Sequence, residues 1–143
     1  MRYFISGHRD ITQKEFQRYY AKAITDAVLK EPNTVEFLVG DYYGVDEMAQ
    51  AYVAKLKSTH PNIKMTVYHM FNTPRKNFYK FPTVGGFEND HTRDCAMTLN
   101  SDYDIAYKGD FYTFDDIETI RTKTNFTKNK GYGGIFTWSF DGN

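Results

Sequence analysis

The sequence lacks several features that would each point to a particular class of protein. It contains a single cysteine, Cys95, so it forms no internal disulfide and no zinc site of four cysteines. Its 18 basic and 18 acidic residues cancel, which argues against nucleic-acid binding because that function needs a basic surface to displace counterions. No stretch approaches the roughly 18 apolar residues of a membrane span. The opening residues, MRYFISGHRD, do not resemble a signal peptide, so we expect a cytoplasmic protein without a membrane partner.

The chain is long enough to build a core without disulfides or metals. A chain of 143 residues buries roughly two-thirds of its surface on folding. No linker, repeat or low-complexity stretch divides it, so residues 1–143 are expected to form one domain. Aromatic side chains make up 17% of the sequence, and most of them fit core positions.

Short apolar runs alternate with helical patterns along the chain. A capping box, in which Thr12 and Glu15 satisfy each other's backbone amides, opens the first helix. The apolar runs predict strands, and apolar residues spaced three and four apart predict helices. Residues 72–90 contain two prolines and a Gly-Gly pair and are predicted to be an irregular loop, and Asp90 or Thr92 is expected to cap the helix after it. The predicted strands are 2–6, 35–39, 63–69, 103–107 and 133–140, and the predicted helices are 12–30, 45–56, 90–99 and 113–122.

This alternation predicts an α/β protein with a Rossmann-like three-layer sandwich and a mostly parallel central sheet. In such sheets ligands bind beyond the carboxyl ends of the strands. The residues that directly follow each predicted strand are therefore the ones to inspect for function.

Two glycine-containing turns follow the first two predicted strands. Glycine permits close approach of a ligand to the backbone, and a helix N-terminus offers free amides to an anion. These turns favour a phosphate or nucleotide ligand, although ordinary tight turns would look similar. Arg93, near the start of a later helix, is a second candidate phosphate ligand or else a surface ion pair. The candidate ligand-binding residues of the two turns are Ser6, Gly7, His8, Arg9, Asp10, Gly40, Asp41, Tyr43, Gly44 and Asp46.

Known cofactor motifs are absent from these turns. Neither contains the Walker sequence GxxxxGK[ST] nor the dinucleotide motif GxGxxG. The four histidines do not show metal-ligand spacing, so we expect no metal and no resident cofactor.

Three segments in consistent order carry a family resemblance. They are FISGHRD at residues 4–10, GDYYGVDEMA at residues 40–49 and RDCAMTLNSDYDIAYKG at residues 93–109. The chain resembles the YspA-like branch of the SLOG superfamily, which also holds the DprA-type and LOG-type domains. The resemblance implies a Rossmann-like domain that binds a nucleotide-derived ligand, often as a homodimer. It carries ligand contacts to Gly7, Arg9, Asp10, Gly40, Gly44, Asp46 and Arg93.

The chain departs from that family pattern after Gly109. The family has a Gly-x-Gly-Thr turn there, whereas this chain retains only Gly109 and Thr113, with Phe111 and Tyr112 between them. Gly109 remains a candidate ligand contact, and the aromatic rings could stack on a base or ribose. The PGGxGTxxE signature of LOG-type hydrolases is also absent.

Three functions are compatible with these residues. The first is binding of a phosphorylated nucleoside or an ADP-ribose-like ligand. The second is an N-glycosidic hydrolase or transferase acting on nucleoside monophosphates, with Asp46 as the catalytic carboxylate. The third is a non-catalytic nucleotide sensor or sponge.

Overall fold

The protein was analysed as a computed structural model, which describes residues 1–7 and 9–106 together with the backbone of residues 120–122. The described residues form one sheet of six strands. The strands are β1 (Arg2–Ile5), β2 (Glu36–Val39), β3 (Lys64–Met70), β4 (Thr83–Phe87), β5 (Tyr103–Ile105) and β6 (Ile120–Thr122).

The helices lie between these strands. The first helical stretch has three successive segments, α1 (Gln13–Glu15), a π-helical segment (Phe16–Ala21) and α2 (Lys22–Lys30). The predicted capping box is confirmed, since the Thr12 side chain accepts from the Glu15 amide and the Glu15 carboxylate accepts from the Thr12 amide. The other helices are α3 (Val45–Leu56) and α4 (Asp90–Leu99). Within the described ranges, no helix is both long and apolar enough to cross a membrane.

The strand order is β4-β3-β2-β1-β5-β6. The first five strands in this order are parallel, and β6 runs antiparallel to β5. The chain moves outward from β1 through β2 and β3 and later returns to place β5 on the other side of β1. This reversal opens a crevice at the carboxyl ends of the strands, where ligands of such sheets bind. The predicted α/β Rossmann-like fold is confirmed.

Side chains alternate between two cores on the opposite faces of the sheet. On one face, Ile5 and Phe37 belong to the larger core, together with Ile24 of α2 and Val53 of α3. On the other face, four buried side chains form a smaller core with α4, namely Phe4, Leu38, Tyr68 and Met97. Helices therefore cover both faces, as the three-layer prediction requires.

The prediction of an irregular loop over residues 72–90 was wrong in part, because β4 lies inside it. One of the two glycines that suggested a loop, Gly85, has a packing role in this strand. A Cβ on Gly85 would lie within 3 Å of the Cε1, Nε2 and Nδ1 atoms of the His69 ring, so only glycine lets that ring lie against the strand. The strand is mostly exposed and lacks the apolar alternation by which strands are recognised.

Two other local predictions were corrected. Asn89, and neither Asp90 nor Thr92, caps α4, since its side chain accepts from the Thr92 amide at 2.8 Å. Residues 120–122, predicted to end a helix, form β6 because their backbone pairs with β5. The remainder of that predicted helix and the predicted strand over residues 133–140 lie outside the described residues.

Candidate functional site

A cavity of about 220 Å³ lies at the carboxyl edge of the sheet, between the ends of β1 and β2 and the starts of α3 and α4. Its polar wall is made largely by acidic side chains and one arginine. The residues around it are Phe4, Ser6, Gly7, Tyr42, Tyr43, Asp46, Asp90, Arg93, Asp94 and Met97.

Arg93 lies at the centre of a network of ion pairs and is only 5% exposed. Its Nη1 atom donates to Asp41 Oδ1 at 2.9 Å and lies 3.0 Å from Asp90 Oδ1. Its Nε and Nη2 atoms both donate to Asp94 Oδ1, at 3.0 and 2.9 Å. The charge of this guanidinium is therefore already balanced by carboxylates of the protein.

Arg75 reaches the same carboxylates from the segment after β3. Its Nη2 atom donates to Asp41 Oδ1 at 2.8 Å and to Asp90 Oδ1 at 2.7 Å, and its backbone amide donates to Asp41 Oδ2 at 2.6 Å. Burial alone would raise the pKa of Asp41, but the Arg75 hydrogen bonds and the charges of both arginines hold it below its ordinary value. Asp41 is therefore a fixed anion that joins β2, the Arg75 segment and α4.

Asp46, in the first turn of α3, has the opposite character. Burial raises its pKa to about 7, although the Arg93 charge and a hydrogen bond from the Tyr42 amide both act to lower it. The nearby Asp94 and Asp41 carboxylates add to the increase. A buried carboxyl whose pKa lies near neutrality in a cleft is typical of a functional group.

The glycines of the two turns admit neighbouring side chains. A Cβ on Gly40 would lie 2.5 Å from Asp46 Oδ2 and 2.7 Å from Arg93 Cζ. A Cβ on Gly7 would lie 2.3 Å from the Tyr20 hydroxyl, which donates to the Ser6 carbonyl at 2.8 Å. At both positions, side chains of the protein therefore occupy the space that the absence of a Cβ leaves beside the glycine.

Gly44 and Gln50 set the position of α3. Gly44 precedes the helix with φ 77°, a backbone conformation that glycine adopts without steric cost. The buried Gln50 amide donates to the Gly40 carbonyl at 3.1 Å and to the Lys76 carbonyl at 3.0 Å. It thus connects the end of β2 to the segment that carries Arg75.

Aromatic and basic side chains form the rim of the cavity. Arg9 Nη1 donates to the Tyr42 hydroxyl at 3.0 Å, and the Arg75 guanidinium lies 4.7 Å from the centre of the Tyr42 ring. Lys76 Nζ lies 4.9 Å from the centre of the Tyr43 ring. Arg9 is exposed and forms no ion pair with a carboxylate among the residues described by the structure.

The structure brings most of the candidate residues together. Five candidate residues line the cavity, namely Ser6, Gly7, Tyr43, Asp46 and Arg93. Three others do not line it but contact or position the lining residues, namely Gly40, Asp41 and Gly44. Arg9 reaches the rim through Tyr42, whereas Asp10 is exposed and is not among the lining residues. His8 and Gly109 lie outside the described residues. The ligand-binding and catalytic roles of all of these residues stay predictions.

Sequence reasoning missed the structural roles of Arg75 and Gln50. Arg75 and Asp41 are 34 positions apart in the sequence, so no local pattern predicts that they pair. Gln50 did carry a signal, because it follows Asp46 by four residues and therefore shares its face of the helix. Over the described ranges, no group of three or more histidine, cysteine or acidic side chains could hold a metal ion.

Comparisons with known proteins give one partial similarity. A stretch of 63 residues, 43% of this chain, is 54% identical to an endochitinase of Brugia malayi. The match covers 11% of that protein, which is too little to establish a family. No family model and no solved structure matches the chain.

The raised pKa of Asp46 predicts a pH-dependent contribution to stability. In the unfolded chain an aspartate ionises near pH 4, whereas the folded protein holds the proton on Asp46 up to about pH 7. This contribution is complete below the unfolded pKa and is lost as pH rises through the folded pKa. We expect the stability of the native protein relative to Asp46→Asn to fall by up to roughly 1.4 kcal/mol per pH unit over that interval and to level off above it.

Chemical denaturation of both proteins from acid to neutral pH would measure this difference. Asp26→Asn is a matched control for the removal of one carboxyl group, since Asp26 is an exposed partner of Lys22 on α2. A stability difference for Asp46→Asn that is no more pH-dependent than that of this control would contradict the buried, protonated carboxyl.

Proposed function

We propose that the protein binds a phosphorylated nucleoside or a related ADP-ribose-like molecule at the carboxyl edge of its sheet. The observation that carries this proposal is the division of charge at the cavity. Carboxyl groups lie inside, and the exposed guanidinium of Arg9, which forms no ion pair with any described residue, lies beside Tyr42 at the rim. The resemblance of three segments to the YspA-like SLOG branch also supports it.

The inner wall favours a neutral part of the ligand. The network contains more carboxyl groups than guanidinium groups. Two arginines are paired with three aspartates, namely Asp41, Asp90 and Asp94, and Asp46 adds a fourth carboxyl group. A phosphate placed there would meet carboxylates that cannot move away without leaving Arg93 buried and unpaired, which is costly. The phosphate therefore belongs at the rim beside Arg9, whose planar fork of donors suits phosphate oxygens.

A ribose fits the inner cavity in both size and chemistry. The cavity volume of about 220 Å³ is below that of typical pockets for drug-sized ligands, which is at least roughly 300 Å³. The cavity can therefore hold only part of a nucleotide. Ribose hydroxyls are donors, and carboxylate oxygens of Asp46 and Asp94 are acceptors. Tyr43 is 48% exposed beside Tyr42, and these rings offer a surface on which a base can stack.

Calorimetric titration with adenosine, AMP and ADP-ribose tests this arrangement. We expect AMP to bind more tightly than adenosine and Arg9→Gln to remove about a tenfold advantage, because the variant lacks the phosphate contact. Arg18→Gln is a matched control, since Arg18 lies over Tyr19 on the first helical stretch. Absence of binding by all three compounds to folded protein would reject the proposal, and equal AMP affinity in Arg9→Gln would reject the phosphate position.

A second candidate function is N-glycosidic cleavage of a nucleoside monophosphate, favoured by the pKa of about 7 at Asp46. At that pKa the carboxylate can accept a proton from water while the water oxygen attacks the anomeric carbon. The bond from carbon to the base nitrogen breaks, the nitrogen keeps the electron pair, and the proton passes to the departing base.

Chromatography of AMP incubated with the protein distinguishes cleavage from binding alone. If the protein is a hydrolase, free adenine and ribose phosphate accumulate, and Asp46→Asn loses at least about a hundredfold in rate because its general base is gone. Asp26→Asn should retain full activity. Recovery of intact AMP from protein that binds it would reject cleavage and favour a sensor or sponge.

We also propose a cytoplasmic location and a homodimer. The free and half-buried thiol of Cys95 suits a reducing compartment. Exposed aromatic side chains such as Phe78, which is 69% exposed, suit an interface with a second copy.

A further inference from the structure

A larger cavity, of about 550 Å³, lies at the opposite edge of the sheet. It is bordered by the first residues of β2 and β3, the C-terminal end of α3 and the segment that leads into β4. The residues around it are Glu36, Ala54, Lys57, Lys64, Met65, Thr66, Tyr79, Lys80, Phe81 and Pro82. It shares no residue with the candidate site described above.

Pro82 ends the pairing of β4 with β3 and so leaves the space beside the start of β3 unfilled. The Val67 amide donates to the Pro82 carbonyl, and the β4 ladder begins there with Val67 opposite Thr83. The Lys64 amide donates instead to Val35 on the β2 side, so by alternation the backbone of Met65 faces the β4 side. Pairing could continue to Met65 only if residue 82 donated an amide hydrogen, which proline lacks. The start of β3 therefore lacks a neighbouring strand on that side among the described residues.

Aromatic and aliphatic groups form one part of the wall. Phe81 is buried, and Tyr79 lies with its ring centre 6.3 Å from that of Phe81. The Asn77 side chain holds this turn by donating to the Phe81 carbonyl and accepting from the Phe81 amide, both at 3.0 Å. Lys80, which lies between Tyr79 and Phe81 in the sequence, has φ 55°, a backbone conformation that a lysine rarely adopts.

Lysine ammonium groups form the other part of the wall. Lys57 donates to the carbonyls of Ile63 at 2.8 Å and Pro61 at 3.4 Å. Lys64 and Lys80 are exposed and form no ion pair with any described residue. The acidic residue of the cavity, Glu36, is paired with Arg2 at 3.2 Å. The cavity therefore has an excess of positive charge beside an apolar, ring-lined surface.

We propose that this cavity is a second binding site, which takes a small, flat aromatic acid. The ring of the ligand would pack against Tyr79 and Phe81, and its carboxylate or sulfonate would lie between Lys64 and Lys80. Burial of an aromatic ring gives most of the affinity, and the two ammonium groups select an anion over a neutral molecule of the same shape. This proposal is independent of the ligand at the other edge of the sheet.

Fluorescence titration with anilinonaphthalene sulfonate, an aromatic anion, tests the proposal on the full chain. Lys64→Gln combined with Lys80→Gln should weaken binding about tenfold, because both charges near the anion are lost. The control combines Lys14→Gln with Lys30→Gln, two exposed lysines on the first helical stretch, and should change affinity less than about twofold. Circular dichroism would confirm that both variants fold.

Competition with naphthoate and its neutral analogue naphthamide adds a second criterion. Naphthoate should displace the probe from the native protein at about a tenfold lower concentration than naphthamide, and this preference should disappear in the Lys64/Lys80 variant. Equal competition by the two compounds, or an equal loss of probe affinity in both lysine variants, would overturn the proposal.

Discussion

The burial of Arg93 among aspartates is the constraint on which the carboxyl edge of the sheet depends. Its guanidinium is almost inaccessible to water and contacts carboxylates from the end of β2 and from α4. Breaking a buried pair by removing one partner typically costs about 3–5 kcal/mol, because the remaining charge is left without compensation. The network therefore holds its members in place, and Arg75 extends it to the segment after β3.

This constraint divides two neighbouring carboxyl groups into different states. Asp41 is fully engaged by two arginines and has a lowered pKa, whereas Asp46 is buried with fewer partners and has a raised one. Gly40 permits the arrangement, since a side chain there would displace Asp46 or Arg93. Charge is also unequal between the two edges of the sheet. The carboxyl edge concentrates aspartates and the opposite edge concentrates lysines, so the zero net charge of the chain conceals two electrostatically different cavities.

Much of the fold could be predicted because its signals are local. The capping box at Thr12 and the apolar spacing from Val45 to Leu56 depend only on neighbouring residues. The edge strand β4 was missed because Gly85 is explained by its contact with the ring of His69, which is distant in the sequence. At the site, the rule for parallel sheets placed Ser6, Gly40, Asp46 and Arg93 near one edge. It could not show that Arg93 is buried against Asp41, because these two residues are 52 positions apart in the sequence and come close only after folding.

The protonation of Asp46 is the property that distinguishes this carboxyl group most directly from its neighbour Asp41. Titration of its carboxyl carbon by NMR, assigned by comparison with Asp46→Asn, measures that property without a ligand. Burial of the Asp46 side chain predicts a midpoint near pH 7, far above the ordinary aspartate value of about 3.9. A midpoint for Asp46 near pH 4, the ordinary value of about 3.9 for aspartate, would contradict it.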